Sequence, residues 1–162
     1  MRRLSGLVLA AIVLSGAMQF AVLRGADAAP SAVANWYEGA SGYEQAFEEA
    51  RRDQKPLMVY FRTEWCGYCR QFERELLSTE TVQKYVDSVV KVTINPEAGR
   101  EEAQIASAYR VRGFPAIFMH PADLGPPQGI RRTAMRDGKI GLQTPDEFVE
   151  TLREAASVET GR

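Results

Sequence analysis

Both cysteines of this 162-residue sequence fall in one stretch, "FRTEWCGYCRQF" at positions 61–72, where only Gly67 and Tyr68 separate Cys66 from Cys69. Two thiols so spaced can act as a staple, a metal clip or a reactive pair. As a staple they are poorly placed: a closed loop of about four residues contributes roughly 1.9 kcal/mol, against about 4.7 kcal/mol for a loop of 100. Short, strained disulfides are also the more reducible ones. A zinc site asks for four ligands, and the sequence adds a single histidine, His120, beyond a further predicted helix and strand. A copper site meets the same shortage, so ligand count argues against a metal.

Reactive thiols are the chemistry that the spacing serves best. If a helix begins at the motif, Cys66 stands at its N-terminus, where unpaired N–H groups and the helix dipole favour a thiolate. Cys66 is then the nucleophile. Cys69, three residues on and nearly on the same face, can attack the mixed disulfide that Cys66 forms with a substrate. This chemistry calls for no cofactor.

The elements that must hold the pair are legible on either side. "SGYE" at 41–44 has the form of a capping box, and Tyr43, Ala46, Phe47 and Ala50 recur at helical spacing, which predicts a helix over about 42–53. "LMVYF" at 57–61 and "VVKVTI" at 89–94 are continuous apolar runs, as strands buried on both faces require. Between them Phe72, Leu76 and Leu77, then Val82, Tyr85 and Val86, predict two helical pieces. A helix over about 99–109 precedes a third strand in "GFPAIFM", opening at Pro115 because proline lacks a ladder donor. His120 reads as a turn residue beside Pro121, and "IRRTAM" at 130–135 as an edge strand that turns at "DG". "TPDE" at 144–147 caps a last helix with Pro145 at its first position. The order implies an α/β fold, a mixed sheet of about four strands with helices on both faces.

The N-terminus differs from the rest. Arg2 and Arg3 precede an uncharged apolar run from Leu4 to Leu23, and "ADA" at 26–28 fits a peptidase site, so residues 1–28 read as an export signal. An uncleaved anchor over residues 4–23 is the alternative. Either way the rest of the chain is expected outside the cytoplasm: a tether at 29–40, a domain at 41–157 and a tail at 158–162. Without residues 1–28, Lys+Arg falls from 20 to 17 and Asp+Glu from 21 to 20, a formal charge of about −3. No basic excess points to nucleic acid.

"EWCGYC" after a buried strand, with "VRGFPAI" some forty residues later, resembles the thioredoxin-like superfamily over about residues 41–157, and most closely its exported members. The resemblance implies a thioredoxin fold and thiol–disulfide oxidoreductase activity, with Cys66 attacking and Cys69 resolving. It further implies Trp65 as the flanking indole, Pro115 as a cis proline facing the pair, and Phe114 presenting its backbone to the substrate. Protein disulfides are then the substrates, and the direction expected is reduction, by a monomer supplied from a membrane-bound electron donor. The competing accounts are an oxidant or isomerase, and a docking or metal-carrying module without turnover.

The sequence departs from the family where thioredoxins carry a buried aspartate six residues before the first cysteine; Tyr60 stands there. Lys91 matches the lysine that accompanies that aspartate. Candidates for handling the Cys69 proton are therefore Glu64, Lys91 or water, although Glu64 and Arg62 also read as a solvated rim. Tyr68, between the cysteines, is a candidate substrate contact.

Overall fold

The computed structural model describes residues 31–157; the expected export signal and the tail at 158–162 lie outside them. Seven strands and five α-helices follow one another as β1 (Tyr37–Glu38), α1 (Gly39–Asp53), β2 (Leu57–Phe61), α2 (Gly67–Phe72), a π-helical turn (Glu73–Leu77), α3 (Glu80–Val86), β3 (Val90–Ile94), α4 (Arg100–Ala108), β4 (Ala116–His120), β5 (Gln128–Gly129), β6 (Thr133–Arg136), β7 (Lys139–Leu142) and α5 (Pro145–Ser157). The central sheet has five strands, one more than the apolar runs suggest, in the order β1-β3-β2-β4-β5. β1, β3 and β2 run parallel, whereas β4 is antiparallel to β2 and β5 to β4. It is a mixed sheet of the thioredoxin type.

Every residue of β2 is buried, and alternation divides it between two cores. Leu57, Val59 and Phe61 face Ala46 and Ala50 of α1 with Val92 and Ile94 of β3. Met58 and Tyr60 face the other way, onto Phe72 of α2, Leu76 and Leu77 of the π-helical turn, and Phe148 and Leu152 of α5. Both faces of the strand are therefore covered, and the dithiol loop that follows it starts from a fixed point.

Three expectations need correction. The tether expected at 29–40 is part of the sheet from Tyr37, and α1 starts at Gly39 rather than at a Ser41 cap. Pairing of Tyr37–Glu38 with Val92–Thr93 turns the chain at Gly39, whose φ of +69° suits glycine. Gly42 then lies so close to Tyr37 that a Cβ there would meet its carbonyl carbon at 3.1 Å, and the Ala40 N–H is capped from α4 by Glu102 Oε1 at 3.0 Å. Second, "IRRTAM" does not extend the central sheet: among the described residues β6 pairs only with β7, as a separate hairpin turning at Asp137-Gly138. Third, His120 is no turn residue. It ends β4, is 6% exposed, and lies between Tyr109 Oη at 2.6 Å and the Gly125 carbonyl at 2.8 Å. The capping box of α5 does form, with the Thr144 N–H donating to Glu147 Oε2 at 2.8 Å and the Glu147 N–H to Thr144 Oγ1 at 3.4 Å.

Candidate active site

Three chain segments meet at one end of the sheet because the strands before or after them are neighbours. Phe61 pairs with both Ile94 and Ala116, so the segment leaving β2, the segment leaving β3 and the one entering β4 all emerge there. The first carries Trp65 and Cys66, the second Glu97, the third Phe114 and Pro115. The Phe114–Pro115 peptide is cis.

Cys66 is the N-cap of α2: its backbone is extended, and its Sγ accepts the Cys69 N–H at 3.1 Å. Its own N–H donates to the Thr63 carbonyl at 3.3 Å, and its carbonyl accepts from Arg70. Cys66 and Cys69 are joined as a disulfide, with their Cα atoms 5.2 Å apart. Both are buried, whereas Trp65 and Tyr68 beside them are 65% and 72% exposed, which gives the shielded sulfurs an aromatic surround open to solvent. Trp65 is nonetheless fixed: its Nε1–H donates to both Glu97 oxygens, at 2.9 and 3.0 Å, and its ring meets that of Phe114 edge to face at 6.2 Å. Burial of the flanking cis-proline segment is assisted by Arg132, whose Nη1 donates to the Pro115 carbonyl at 3.2 Å.

The two side chains proposed from sequence for proton handling each have another partner. Lys91 sits beside Met58 on the sheet and reaches Asp87 at 2.9 Å and the Val86 carbonyl at 3.4 Å, at the end of α3. Glu64 is largely exposed and approaches only Arg62 Nη1, at 3.7 Å, among the described residues. Arg62, by contrast, is no rim residue. Its side chain is 20% exposed, and its Nε lies 2.8 Å from Glu73 Oε1, close enough for an ion pair though not aligned as a hydrogen bond.

Glu73 is the acidic group that sequence reading missed. It starts the π-helical turn, its side chain is 15% exposed, and its Oε1 also accepts the Tyr60 hydroxyl at 2.9 Å. Burial first, then the charge of Glu73 and the bond to it, push the Tyr60 phenol well above the usual tyrosine range. Tyr60 therefore stays protonated and a donor. The available signal was the spacing of Glu73 four residues beyond Cys69, which places both on one helix face.

A family model described as Thioredoxin-like matches residues 35–122. The thioredoxin of Rickettsia bellii is 27% identical over 106 residues, covering 65% of this chain and 86% of its own length. The protein disulfide-isomerase of Gallus gallus is 27% identical over 117 residues, 70% of this chain, and the thiol:disulfide interchange protein DsbD of Yersinia pestis 26% over 110 residues, 67% of it. The match spans only 22% and 17% of those two longer proteins. Among solved structures, a thioredoxin from Thermus thermophilus superposes with a TM-score of 0.57 at 25% identity, over 75% of this chain and 86% of that one. The C-terminal domain of Neisseria meningitidis DsbD shares the fold, with a TM-score of 0.59 at 20% identity over 74% of this chain and 98% of that domain. The chain belongs to the thioredoxin-like family, and its paired cysteines are those of a thiol–disulfide oxidoreductase domain.

Proposed function

We propose that this domain reduces disulfides of protein substrates outside the cytoplasm, as a monomer that cycles Cys66 and Cys69 between dithiol and disulfide. The observation that carries the reading is the position of Cys66: it caps α2, its sulfur faces the Cys69 N–H, and it is bonded to Cys69 at the sheet end where Pro115 lies. In the reduced domain the open N–H groups of the helix start favour a thiolate at Cys66.

That thiolate attacks one sulfur of a substrate disulfide. The substrate S–S bond breaks, its leaving sulfur takes a proton from water, and Cys66 is held in a mixed disulfide. Cys69 then loses its proton and attacks the Cys66 sulfur, which releases the second substrate sulfur. Two electrons have passed to the substrate, and the domain is left as the disulfide. Trp65 and Phe114 form the wall against which the substrate lies, Tyr68 adds a contact, and the backbone at Phe114 pairs with an extended substrate segment. A membrane-bound donor restores the dithiol, and residues 1–28 direct export. The likeness to a thiol:disulfide interchange protein supports exchange with a partner reductant, and the basic, apolar N-terminal sequence supports the location.

The test is insulin reduction driven by dithiothreitol. Cys66→Ser abolishes the acceleration, and Cys69→Ser accumulates a covalent complex with substrate. Full acceleration by Cys66→Ser would contradict the mechanism and favour a docking module.

A further inference from the structure

We propose that the outer half of the β6–β7 hairpin is a second contact for the protein substrate, receiving an apolar, extended segment of the polypeptide whose disulfide lies at Cys66. The inference rests on the dithiol reading and adds what the domain selects beyond a disulfide.

Register sets where the hairpin stands. β5 is antiparallel to β4, with Gly129 against Phe118, and the Ile130 N–H donates to the Ile117 carbonyl at 2.8 Å, so the chain heads back toward the start of β4. Two residues on it reaches Pro115, whose carbonyl accepts from Arg132 at 3.2 Å. The Gln143 N–H closes the base of the hairpin on the Arg132 carbonyl at 2.9 Å. β6 and β7 therefore spring from the end of the sheet that carries the dithiol.

The hairpin has one apolar face. Thr133 pairs with Leu142 and Met135 with Ile140, and residues two apart on a strand share a face. At the inner end Leu142 packs on the core that holds Phe148. The outer end is open: Met135 and Ile140 are 69% and 73% exposed, and as direct cross-strand partners they make one patch. The other large apolar or aromatic side chains so exposed among the described residues are Trp65 and Tyr68, beside Cys66.

The patch is also held in place. Arg136, next to the turn, pairs with Glu147 at the start of α5 and donates to the Leu142 carbonyl at 3.1 Å, and Gln143 Nε2 donates to Thr151 Oγ1 at 3.2 Å. A preformed surface loses little freedom when it binds. Two side chains cover a small part of the ~800 Å² per partner that a stable subunit interface needs, so a second copy of this chain is a poor occupant. A substrate needs far less area, because Cys66 already holds it and the hairpin supplies only a second point of attachment. The position at the dithiol end likewise favours a substrate over an anionic membrane surface, which the exposed Arg131 and Lys139 would otherwise suit.

Steady-state kinetics on two disulfides separate this surface from the dithiol, since insulin brings polypeptide to the hairpin and dithiobis(nitrobenzoate) brings none. In Met135→Ser/Ile140→Ser, KM for insulin rises about tenfold while kcat stays within about twofold, the pattern of binding lost equally from ground and transition states. The rate of that variant with dithiobis(nitrobenzoate) equals the parent's, which also shows an intact fold. Met135→Leu/Ile140→Val, still apolar, keeps the parental KM. A parental KM for insulin in the serine variant overturns the inference and leaves the dithiol mechanism standing; if the same variant loses co-sedimentation with phosphatidylglycerol vesicles, the hairpin belongs to a membrane surface instead. A parent protein that reduces neither disulfide overturns the mechanism and the inference with it.

Discussion

The Arg132 guanidinium donates to the carbonyl of Pro115, and this bond ties the segment before the β6–β7 hairpin to the proline that faces the dithiol end of the sheet. A hydrogen bond from a charged donor contributes about 1.5–3 kcal/mol, and less where water reaches it. Arg132→Ala is expected to lower stability by about 1–2 kcal/mol and to raise KM for a protein substrate severalfold, with a smaller change in kcat. Urea unfolding and steady-state insulin reduction check the two effects, and an unchanged KM would show that the bond does not position the substrate edge.

Trp65 is exposed yet anchored through Glu97. Glu97→Ala frees the indole, so substrate affinity should fall by about threefold to tenfold, the scale of roughly 1 kcal/mol. Trp65→Ala should lose at least as much, because it removes the surface as well as its anchor. Peptide-disulfide titrations of the two variants test the order.

Phe148 is buried between α5 and the active-site helix, with its ring 5.5 Å from that of Phe72. Phe148→Ala leaves a cavity under α2 and should destabilise the domain by about 3–5 kcal/mol. Equilibrium unfolding measures the loss directly.

His120 makes stability depend on pH. A carbonyl can only accept, so Nδ1 carries the proton that is donated to Gly125, and Nε2 accepts from the Tyr109 hydroxyl. Burial lowers the imidazole from its ordinary value of 6.5, with the Gly125 bond opposing. The folded state thus resists protonation: stability is fully present above about pH 6.5 and declines as pH falls below it, because the unfolded chain takes up the proton more readily. Unfolding curves at pH 7.5 and 5.5 should differ in this sense, and the part of the difference due to His120 should vanish in His120→Phe.

The strands that position the site were legible because each holds a run of apolar residues: "LMVYF", "VVKVTI" and "GFPAIFM" read as strands without help from neighbours, although the third runs on to His120. β1 and β5, at two residues each, carry no such run and exist only through partners already in place. The same distinction separates the site residues. Cys66 and Cys69 announce themselves by type and spacing and Pro115 through the family resemblance, whereas Glu73, Arg62 and Arg132 make contacts between elements that no local pattern encodes. Ser41 misled for the complementary reason: a local capping signal lost to strand pairing at Tyr37 and to a cap supplied by Glu102 from a distant helix.

The central claim, a dithiol that passes electrons to substrates, is tested most directly by the equilibrium redox potential of the Cys66–Cys69 couple, titrated against dithiothreitol or glutathione. The account predicts a reversible two-electron couple near the roughly −270 mV of thioredoxin. A couple at roughly −180 to −120 mV, the range of isomerases and oxidants, or no reversible couple at all, would contradict it.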